Sequence, residues 1–379
     1  TPPTKRAGGP GKEEHIRALE GHGSSLGRLA ADFAIFLQRY VGVEGSMGKR
    51  QDIIKFADGL RAHSLKLRSM ADDISFISSS ILTFATDQGE GRDEKIKFRR
   101  SQKPDHVVSM EPCDYADRKK FDKIISSQPQ TVSEFWKNKY EEDAGRNWDL
   151  FYKRNENRFF KDRHYLHHIM GKDIKSAILK AKKDGTNPVL MEVGCGVGNT
   201  MFPLLTDFPE LHVYGVDISK NAIEILQQRP QFKQNSNRSK VWVCDLVKSE
   251  IPKEMPPSDI STLIFVLSAI NPTGIVGVLR KVLKAMKPGG ILFIRDYAIY
   301  DLSQIRFGAG SKLEENLYVR QDGTRTYFFS TETLGDMLKE AGFDIIAIEY
   351  HRKNIKNAKK GIEMKRTWIQ SSSRKPLLS

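Results

Sequence analysis

The stretch "PVLMEVGCGVGNT", residues 188–200, decides the fold of this chain. An apolar run is followed by glycines at positions 194, 196 and 198 and then by a helical pattern, which indicates a strand, a tight turn and a helix. The alternation continues downstream through further predicted strands: "HVYGVD", "KVWVCDL", "ISTLIFVLSAI" and "GGILFIRDY". This succession predicts a parallel sheet covered by helices on both faces.

Two more predicted strands, "FDIIAIEY" and "EMKRTWIQS", follow a helical pattern near the C-terminal end. A short polar connection, "HRKNIKNAKKG", joins them. Strands so close in sequence pair as an antiparallel hairpin, because a parallel crossover needs a longer connection. The sequence therefore predicts a hairpin at the edge of the sheet.

Composition bounds the kind of protein. The chain has 379 residues, which suits one large domain with an extension. Its formal net charge of +14 points to a polyanionic partner such as nucleic acid or to an acidic membrane surface, and charge alone does not choose between them. No apolar run reaches the ~18 residues of a membrane-spanning helix, so no membrane partner is expected. Three widely spaced cysteines spell out neither a disulfide framework nor a zinc site. A reducing compartment is expected, the cytoplasm first, with the nucleus and mitochondrion left open.

Five segments divide the chain. Residues 1–20, rich in Pro, Gly and charge, are predicted to be disordered. Apolar residues at helical spacing predict a helical region over 21–86, whose role the sequence does not reveal. Gly, Pro and dense charge predict a linker over 87–130. A lid and RNA-binding region is expected over 131–187, and the sheet-bearing domain over 188–379.

The glycine-rich turn points to a nucleoside ligand. Its pattern is GxGxG and not the GxGxxG of dinucleotide binders. Asp217 ends the next strand, where a carboxylate can accept hydrogen bonds from both ribose hydroxyls, and Asp245 ends the third strand, with Leu246 beside it to flank an adenine ring. Glycines that only shape a turn and aspartates that cap helices are the simpler alternative for each residue taken alone. The set in this order favours a nucleoside cradle without a diphosphate clamp, which S-adenosylmethionine fits.

The pattern resembles class I, Rossmann-like methyltransferases, which implies a seven-stranded, mostly parallel sheet with a C-terminal antiparallel hairpin, here preceded by a helical N-terminal extension. More specifically, "NWDLFYKRNENRFFKDRH", "EVGCGVGNT", "LIFVLSAI", "RDYAIYD" and "NLYVRQDGTRTYFF" resemble the tRNA 3-methylcytidine methyltransferase family. That resemblance implies direct methyl transfer to N3 of cytidine 32 in the anticodon loop of serine or threonine tRNAs. Seryl-tRNA synthetase or another tRNA-modifying enzyme is the expected protein partner.

The expected site has three parts. Trp148 and Tyr152 lie four apart and, by resemblance, close over the cofactor. The full set expected to bind the cofactor is Trp148, Tyr152, Gly194, Gly196, Asp217, Asp245, Leu246 and Ile264. The residues expected at the reacting centre are Asp296, Tyr297 and Arg295, where Asp296 paired with Arg295 or Arg306 in an ion pair is the alternative. The residues expected to contact RNA are Phe160, Lys161, Arg163, Arg306, Arg320 and Arg325.

Other functions stay open at this level. The same domain suits methylation of mRNA or of mitochondrial tRNA, because targeting depends on parts of the chain that carry no legible motif. A cofactor-binding scaffold that docks a tRNA synthetase or a deaminase is an alternative of another class. The histidines at 164, 167 and 168 lack carboxylates or cysteines at ligand spacing, so no metal is expected.

Overall fold

The computed structural model describes residues 106–129, 132–357 and 362–377, all within one compact unit. The segments predicted to be disordered (1–20) and helical (21–86) lie outside these residues. The strands within them are β1 (His106–Ser109), β2 (Val189–Val193), β3 (His212–Asp217), β4 (Ser239–Val243), β5 (Ser258–Ile264), β6 (Met286–Tyr297), β7 (Lys312–Glu314), β8 (Leu317–Val319), β9 (Arg325–Tyr327), β10 (Asp344–Asn357) and β11 (Ile362–Arg374).

Helices alternate with the central strands. In chain order they are α1 (Tyr115–Ser127), α2 (Glu134–Glu142), α3 (Ala144–Asn155), α4 (Leu166–Asp184), α5 (Met201–Asp207), α6 (Lys220–Gln228), α7 (Pro230–Gln234), α8 (Pro272–Ala285), α9 (Leu302–Ile305) and α10 (Thr331–Glu340), with a 3₁₀ turn at Leu267–Ala269. No helix of the described ranges is both long enough and apolar enough to span a bilayer.

The main sheet has the order β1-β10-β11-β6-β5-β2-β3-β4. Its centre, from β6 to β4, is parallel, and β11 pairs antiparallel with both β6 and β10. The predicted class I methyltransferase fold is thereby confirmed. β1 adds an eighth strand to the seven that were expected, since it pairs antiparallel with β10.

Both faces of the central sheet are buried, which explains why β2 reads as a continuous apolar run. Leu190 packs into a core shared with α4, α5 and α6. Its neighbour Met191 points to the opposite core, shared with α8 and α10. All five residues of β2 are buried, so packing on both faces holds the strand in place and thereby positions the glycine turn that follows it.

The predicted linker over 87–130 is wrong in its second half. Residues 106–109 form β1, and residues 115–127 form α1. The sequence conceals both elements because the apolar stripe of α1 is short: Phe121, Ile124 and Ile125 lie at helical spacing and are only half-buried, among dense charge. Long-range polar contacts also hold the helix, such as the ion pair between Asp114 and Arg352.

Two strand boundaries also differ from those predicted. β5 ends at Ile264, and the expected strand residues beyond it turn into the 3₁₀ segment because Phe265 adopts a left-handed backbone with φ of 60°. The connection "HRKNIKNAKKG" was expected to be a loop, yet β10 continues through it to Asn357. Backbone pairing between β10 and β11 compensates there for the polar composition.

A second, three-stranded sheet of β7, β8 and β9 lies between α9 and α10 in the chain. The turn between β8 and β9 contains Asp322 and Gly323, with a φ of 82° at the glycine. Asp322 accepts hydrogen bonds from the backbone and hydroxyl of Thr324. The predicted tight hairpin is therefore present.

Candidate active site

The glycine turn after β2 forms the floor of the site. Gly194 and Gly196 have φ values of 67° and 53°, a region that side chains with a Cβ rarely adopt. Gly194 donates its N–H to the carbonyl of Val216 at 2.7 Å, which fixes the turn to the end of β3. At Gly196 an added Cβ would lie 2.5 Å from the Tyr152 hydroxyl. The turn is thus glycine-dependent both in its backbone and in its contact with α3.

Asp217 faces this turn from the end of β3. Its carboxylate accepts the N–H of Gly196 at 2.8 Å and of Ser219 at 2.9 Å. Burial raises its pKa to about 6, and the two hydrogen bonds oppose that rise. A carboxylate has about four acceptor positions, so two backbone bonds leave roughly two for the hydroxyls of a ribose. This geometry fits the predicted cofactor.

A cleft opens above the turn at the carboxyl edge of the parallel strands, where ligands bind in open sheets of this kind. Asp245 lies in its wall and accepts the N–H of Val247 at 3.0 Å. Of the eight residues predicted to hold the cofactor, seven line the cleft: Trp148, Tyr152, Gly194, Asp217, Asp245, Leu246 and Ile264. The eighth, Gly196, contributes the N–H that Asp217 accepts. The structure brings the whole predicted set together, and the role of each member in binding stays a prediction.

α3 covers the cleft as a lid. Its face toward the glycine turn buries Phe151 and Tyr152, because apolar side chains repeat there at helical spacing. Asp149 of α3 fastens the lid to the start of α6. It accepts hydrogen bonds from the Ser219 hydroxyl at 2.6 Å and from the Asn221 N–H at 3.0 Å. These bonds place its charge at the N-terminus of α6, where the helix dipole favours an anion.

The segment "FFKDRH" was expected to face RNA. In the structure Phe160 and Arg163 line the cofactor cleft, and Arg163 donates to the Thr200 hydroxyl at 2.9 Å. Asp162 accepts a hydrogen bond from Asn199 at 2.8 Å. Only Lys161 of the three predicted RNA contacts in this segment is fully exposed. The segment therefore clamps the glycine turn as well as bordering the acceptor side.

Glu192, the last but one residue of β2, is a buried carboxyl group. Its oxygens make no hydrogen bond of ordinary geometry within the described residues, and the Thr200 hydroxyl and the Met201 N–H are the donors that interact with it. Burial raises its pKa to about 8, and the positive charge of Arg163 opposes the rise. At neutral pH the protonated, neutral form is therefore favoured, which lowers the cost of burying it.

Asp296 was predicted to act at the reacting centre. Its side chain is fully buried, and it accepts the N–H of Ser268 at 2.9 Å and of Tyr297 at 2.8 Å. The alternative ion pair with Arg295 or Arg306 is wrong, because these backbone donors are its partners. Asp296 thus fixes the turn after β5 relative to Tyr297. Burial raises its pKa to about 6, so it is charged at neutral pH.

Aromatic rings continue from the cleft to the acceptor side. Phe265 lines the cleft, and its ring centroid lies 5.0 Å from that of Tyr297. Phe328, only 1% exposed, supports the ring of Tyr297 from the interior, at 5.9 Å between ring centroids. Two guanidinium groups lie over this row, Arg163 at 5.7 Å from Phe265 and Arg320 at 5.3 Å from Tyr297. Such a row suits a planar base that must be stacked and oriented.

The remaining predicted arginines differ in their surroundings. Arg306 is exposed. Arg295 is buried, donates to Gln370 at 2.8 Å and does not line the cleft. The expectation that Arg325 is displayed on the hairpin for RNA is wrong: only 5% of it is exposed, and it forms an ion pair with Glu141. The hairpin turns this side chain inward because α2 supplies the carboxylate.

Two residues of the site, Glu141 and Phe265, were not predicted from the sequence. Glu141 lines the cleft and bridges Arg325 and the Asn271 amide. Phe265 gives the cleft its aromatic wall. Nothing local in the sequence signals Glu141, since its partner lies 184 residues away. Phe265 could have been found from its position directly after the fourth parallel strand. Among the described residues no cluster of His, Cys, Asp and Glu is arranged to hold a metal.

Comparison with known proteins identifies the relatives of this chain. Residues 163–348 match the family described as "Methyltransferase domain". The chain is 43% identical over 247 residues to tRNA N(3)-cytidine methyltransferase METTL6 of Mus musculus, a match that covers 65% of this chain and 86% of the mouse protein. It is 38% identical over 256 residues to the tRNA(Thr) (cytosine(32)-N(3))-methyltransferase of Saccharomyces cerevisiae, covering 66% of this chain and 40% of the yeast protein. O-methyltransferase 3 of Dictyostelium discoideum is 30% identical over 330 residues, covering 67% of this chain and 75% of that protein.

The mouse relative is matched over most of its length, and the motifs that suggested the resemblance surround the cleft. The chain is an S-adenosylmethionine-dependent methyltransferase and belongs to the tRNA N(3)-methylcytidine methyltransferase family.

Proposed function

We propose that this chain methylates N3 of a cytidine in tRNA, at position 32 of the anticodon loop of serine or threonine tRNAs. The observation that carries the proposal is the pair of half-buried rings of Phe265 and Tyr297, which leads out of the cofactor cleft under Arg163 and Arg320. An extruded base can stack on these rings. The names of the mouse and yeast relatives support cytidine N3 as the acceptor.

The chemistry asks little of acid–base groups. When bound, S-adenosylmethionine supplies a methyl group on a positively charged sulfur. The lone pair of N3 forms the new bond as the methyl–sulfur bond breaks, so no proton leaves the acceptor in this step. The protein must mainly align the two partners and exclude water. Tyr152 and Trp148 cover the cofactor side, and Phe265 borders the cleft on the side from which the base would approach.

Charge near the base also matters, because the cytosine ring becomes cationic as the methyl arrives. Asp296 precedes Tyr297 in the chain and accepts its backbone N–H. Its buried negative charge therefore lies close to Tyr297, whose ring would stack on the base. A fixed negative charge stabilises a developing positive one. We therefore retain Asp296 as a positioning and electrostatic group and do not give it the role of a base.

The alternatives are less well supported. The relatives' names favour tRNA over mRNA, and an intact cradle around Asp217 favours catalysis over a cofactor-binding scaffold. We also propose a cytoplasmic location, which rests on composition. The synthetase partner is likewise a proposal, and it rests on the family resemblance. The Dictyostelium relative's name raises O-methylation, which the product analysis below separates from N3 methylation.

The test is product analysis. The purified protein is incubated with labelled S-adenosylmethionine and total tRNA, alone and with seryl-tRNA synthetase, and the nucleosides are identified by mass spectrometry. We expect 3-methylcytidine, and its loss in Asp217→Ala. Asp336→Ala, on the exposed face of α10, is the matched control and should keep wild-type activity. Absence of 3-methylcytidine in both reactions, or a 2′-O-methylated product instead, would overturn the proposal.

A further inference from the structure

Arg295 of β6 is a buried cation whose neighbours are aromatic rings. Only 7% of it is exposed, and its guanidinium lies 5.2 Å from the ring centroid of Tyr165 and 5.1 Å from that of Trp368. Within the described ranges it has no carboxylate partner, and it donates instead to the neutral amide oxygen of Gln370 at 2.8 Å. The two rings therefore replace the counterion that a buried guanidinium ordinarily has.

The stacked groups continue beyond Trp368. The guanidinium of Arg366 also lies over the Trp368 ring, at 5.4 Å from its centroid. Arg366 in turn donates to the buried carboxylate of Asp301 at 2.9 Å. Rings and guanidinium groups thus alternate from the start of α4 to the segment that follows β6. We call this set the Arg295 stack; its members are Tyr165, Arg295, Trp368 and Arg366.

The Arg295 stack touches two walls of the cleft. Tyr165 follows Arg163 by two residues, and Arg163 lines the cleft. The backbone carbonyl of Arg295 accepts the N–H of Phe265 at 2.8 Å, and Phe265 lines the cleft as well. The φ of Phe265 is 60°, and a residue with a Cβ keeps such a backbone only where its surroundings hold it. Arg295 therefore contacts one wall through its side chain and the other through its backbone.

We propose that Arg295 is a positioning residue, which holds residues 160–165 and the wall at Phe265 in the arrangement that aligns the acceptor base with the cofactor. The inference rests on the proposed function for the identity of that base. Arg295 itself lies outside the cleft and acts through the groups that it holds. A guanidinium suits this role because it is planar, weakly hydrated and able to stack on aromatic faces, whereas an ammonium is a strongly hydrated point charge.

A positioning role has a particular kinetic signature. Alignment of the reacting atoms matters in the transition state, where a misplacement of about 1 Å lowers the rate by up to roughly a hundred-fold. The cradle at Asp217 and the glycine turn do not include Arg295. Its loss should therefore lower kcat and kcat/KM by the same factor, with little change in KM for tRNA or in affinity for S-adenosylhomocysteine.

The first test compares two arginines. Arg295→Met keeps an apolar stem and removes the guanidinium of the stack, and we expect kcat to fall about ten-fold. Arg238→Met is the matched control, because this half-buried arginine donates to the carbonyls of Leu205, Phe208 and Leu211 and does not line the cleft. It should lower the melting temperature and keep the wild-type kcat. A wild-type kcat in Arg295→Met, or an equal loss in Arg238→Met, overturns the proposal.

Tyr165 tests the stacking without disturbing the buried cation. Its side chain is 38% exposed, so the fold should tolerate its replacement. Tyr165→Phe keeps the ring and should have the wild-type kcat, whereas Tyr165→Leu removes the ring and should lower kcat about five-fold. Equal losses in both would assign the effect to the hydroxyl, and no loss in either would show that the ring does not position the site. Each of these results contradicts the proposal.

Hydrogen exchange gives a measurement that does not depend on activity. In Arg295→Met, exchange should accelerate together in residues 160–166 and 264–268, and in Arg238→Met it should accelerate in neither segment. Unchanged exchange in Arg295→Met overturns the proposal. If both segments loosen but the wild type forms no 3-methylcytidine, the positioning role stands and the proposed reaction fails. If the wild type forms 3-methylcytidine and Arg295→Met keeps its kcat, only the positioning role fails.

Discussion

Two helices of similar composition, α1 and α3, border the same site and are held in opposite ways. α3 buries Phe151 and Tyr152 against the glycine turn. α1 has no fully buried side chain, and it is fastened by the stacking of half-buried Phe121 on Tyr300 together with ion pairs and hydrogen bonds. Both are rich in aromatic and basic residues. Composition alone therefore does not tell a cofactor lid from an exposed face, and the contacts made by the inner side of each helix decide it.

The largest expected effect comes from Gly196→Ala, which should prevent α3 from packing against the glycine turn. In Gly196→Ala the new Cβ would meet the Tyr152 hydroxyl at 2.5 Å in a backbone conformation that costs 1–3 kcal/mol for alanine, roughly. We expect S-adenosylhomocysteine affinity to fall about a hundred-fold, measured by calorimetry, and hydrogen exchange across α3 to accelerate. Gly277→Ala in α8, where nothing lies within 4 Å, is the control. Wild-type affinity in Gly196→Ala would mean that α3 does not depend on this contact.

The next effect concerns the ion pair that joins α2, just before the lid, to the hairpin. Glu141→Gln leaves the buried Arg325 without its anionic partner, although Asn271 and the Ala269 carbonyl remain nearby. We expect kcat/KM for tRNA to fall about ten-fold and the free energy of unfolding by about 1–2 kcal/mol. Glu142→Gln, an exposed neighbour on the same helix, should change neither. If both substitutions behave alike, the pair does not couple lid and hairpin.

A third effect tests the cradle beneath the lid through pH. The pKa of Asp217 is raised to about 6, so lowering the pH from 7 to 5 protonates most of the carboxylate and removes acceptors for the ribose. Affinity for S-adenosylhomocysteine should fall about ten-fold over that range. Asp217→Asn should bind weakly at every pH without this dependence. A wild-type affinity that stays constant to pH 5 contradicts the assignment.

Lowering the pH should weaken cofactor binding, but through Asp217 it should raise the free energy of unfolding. Because the folded pKa of Asp217 lies above its ordinary value of 3.8, ionisation of this group favours unfolding above about pH 6, and that penalty disappears as the pH falls toward 3.8. Loss of the cofactor at low pH therefore does not come from unfolding driven by Asp217, and thermal melts at pH 5 and pH 7 verify this.

The smallest effect lies on α1. Asp117→Asn removes one of its inward ion pairs, in which the lysine side chain is 55% exposed. Partly exposed pairs contribute about 0.2–1 kcal/mol, so the global free energy of unfolding should change by less than about 1 kcal/mol. Hydrogen exchange within α1 should nevertheless increase, while α3 is unaffected. Equal acceleration in both helices would show that they unfold as one unit.

The sequence predicts the elements that are set by local patterns, and it does not predict those that are held by distant partners. β2 to β6, the glycine turn, Asp217 and Asp245 are set by local patterns, because buried strands and tight turns demand particular residues at fixed spacing. Arg325 and α1 escape such reasoning, since their partners lie 184 and 238 residues away. Phe160 and Arg163 line the cofactor cleft, which the sequence did not predict because spacing does not say which side of a lid faces the cofactor, and their contact with RNA stays a prediction.

The short β1 has a practical consequence for dividing the chain. It covers four residues of β10, and without it the fourteen-residue β10 becomes the outermost strand of the sheet. An unprotected edge strand of that length is a template for pairing between molecules. A fragment that starts at residue 131, where composition places the enzyme's beginning, should therefore self-associate more readily than one that starts before His106.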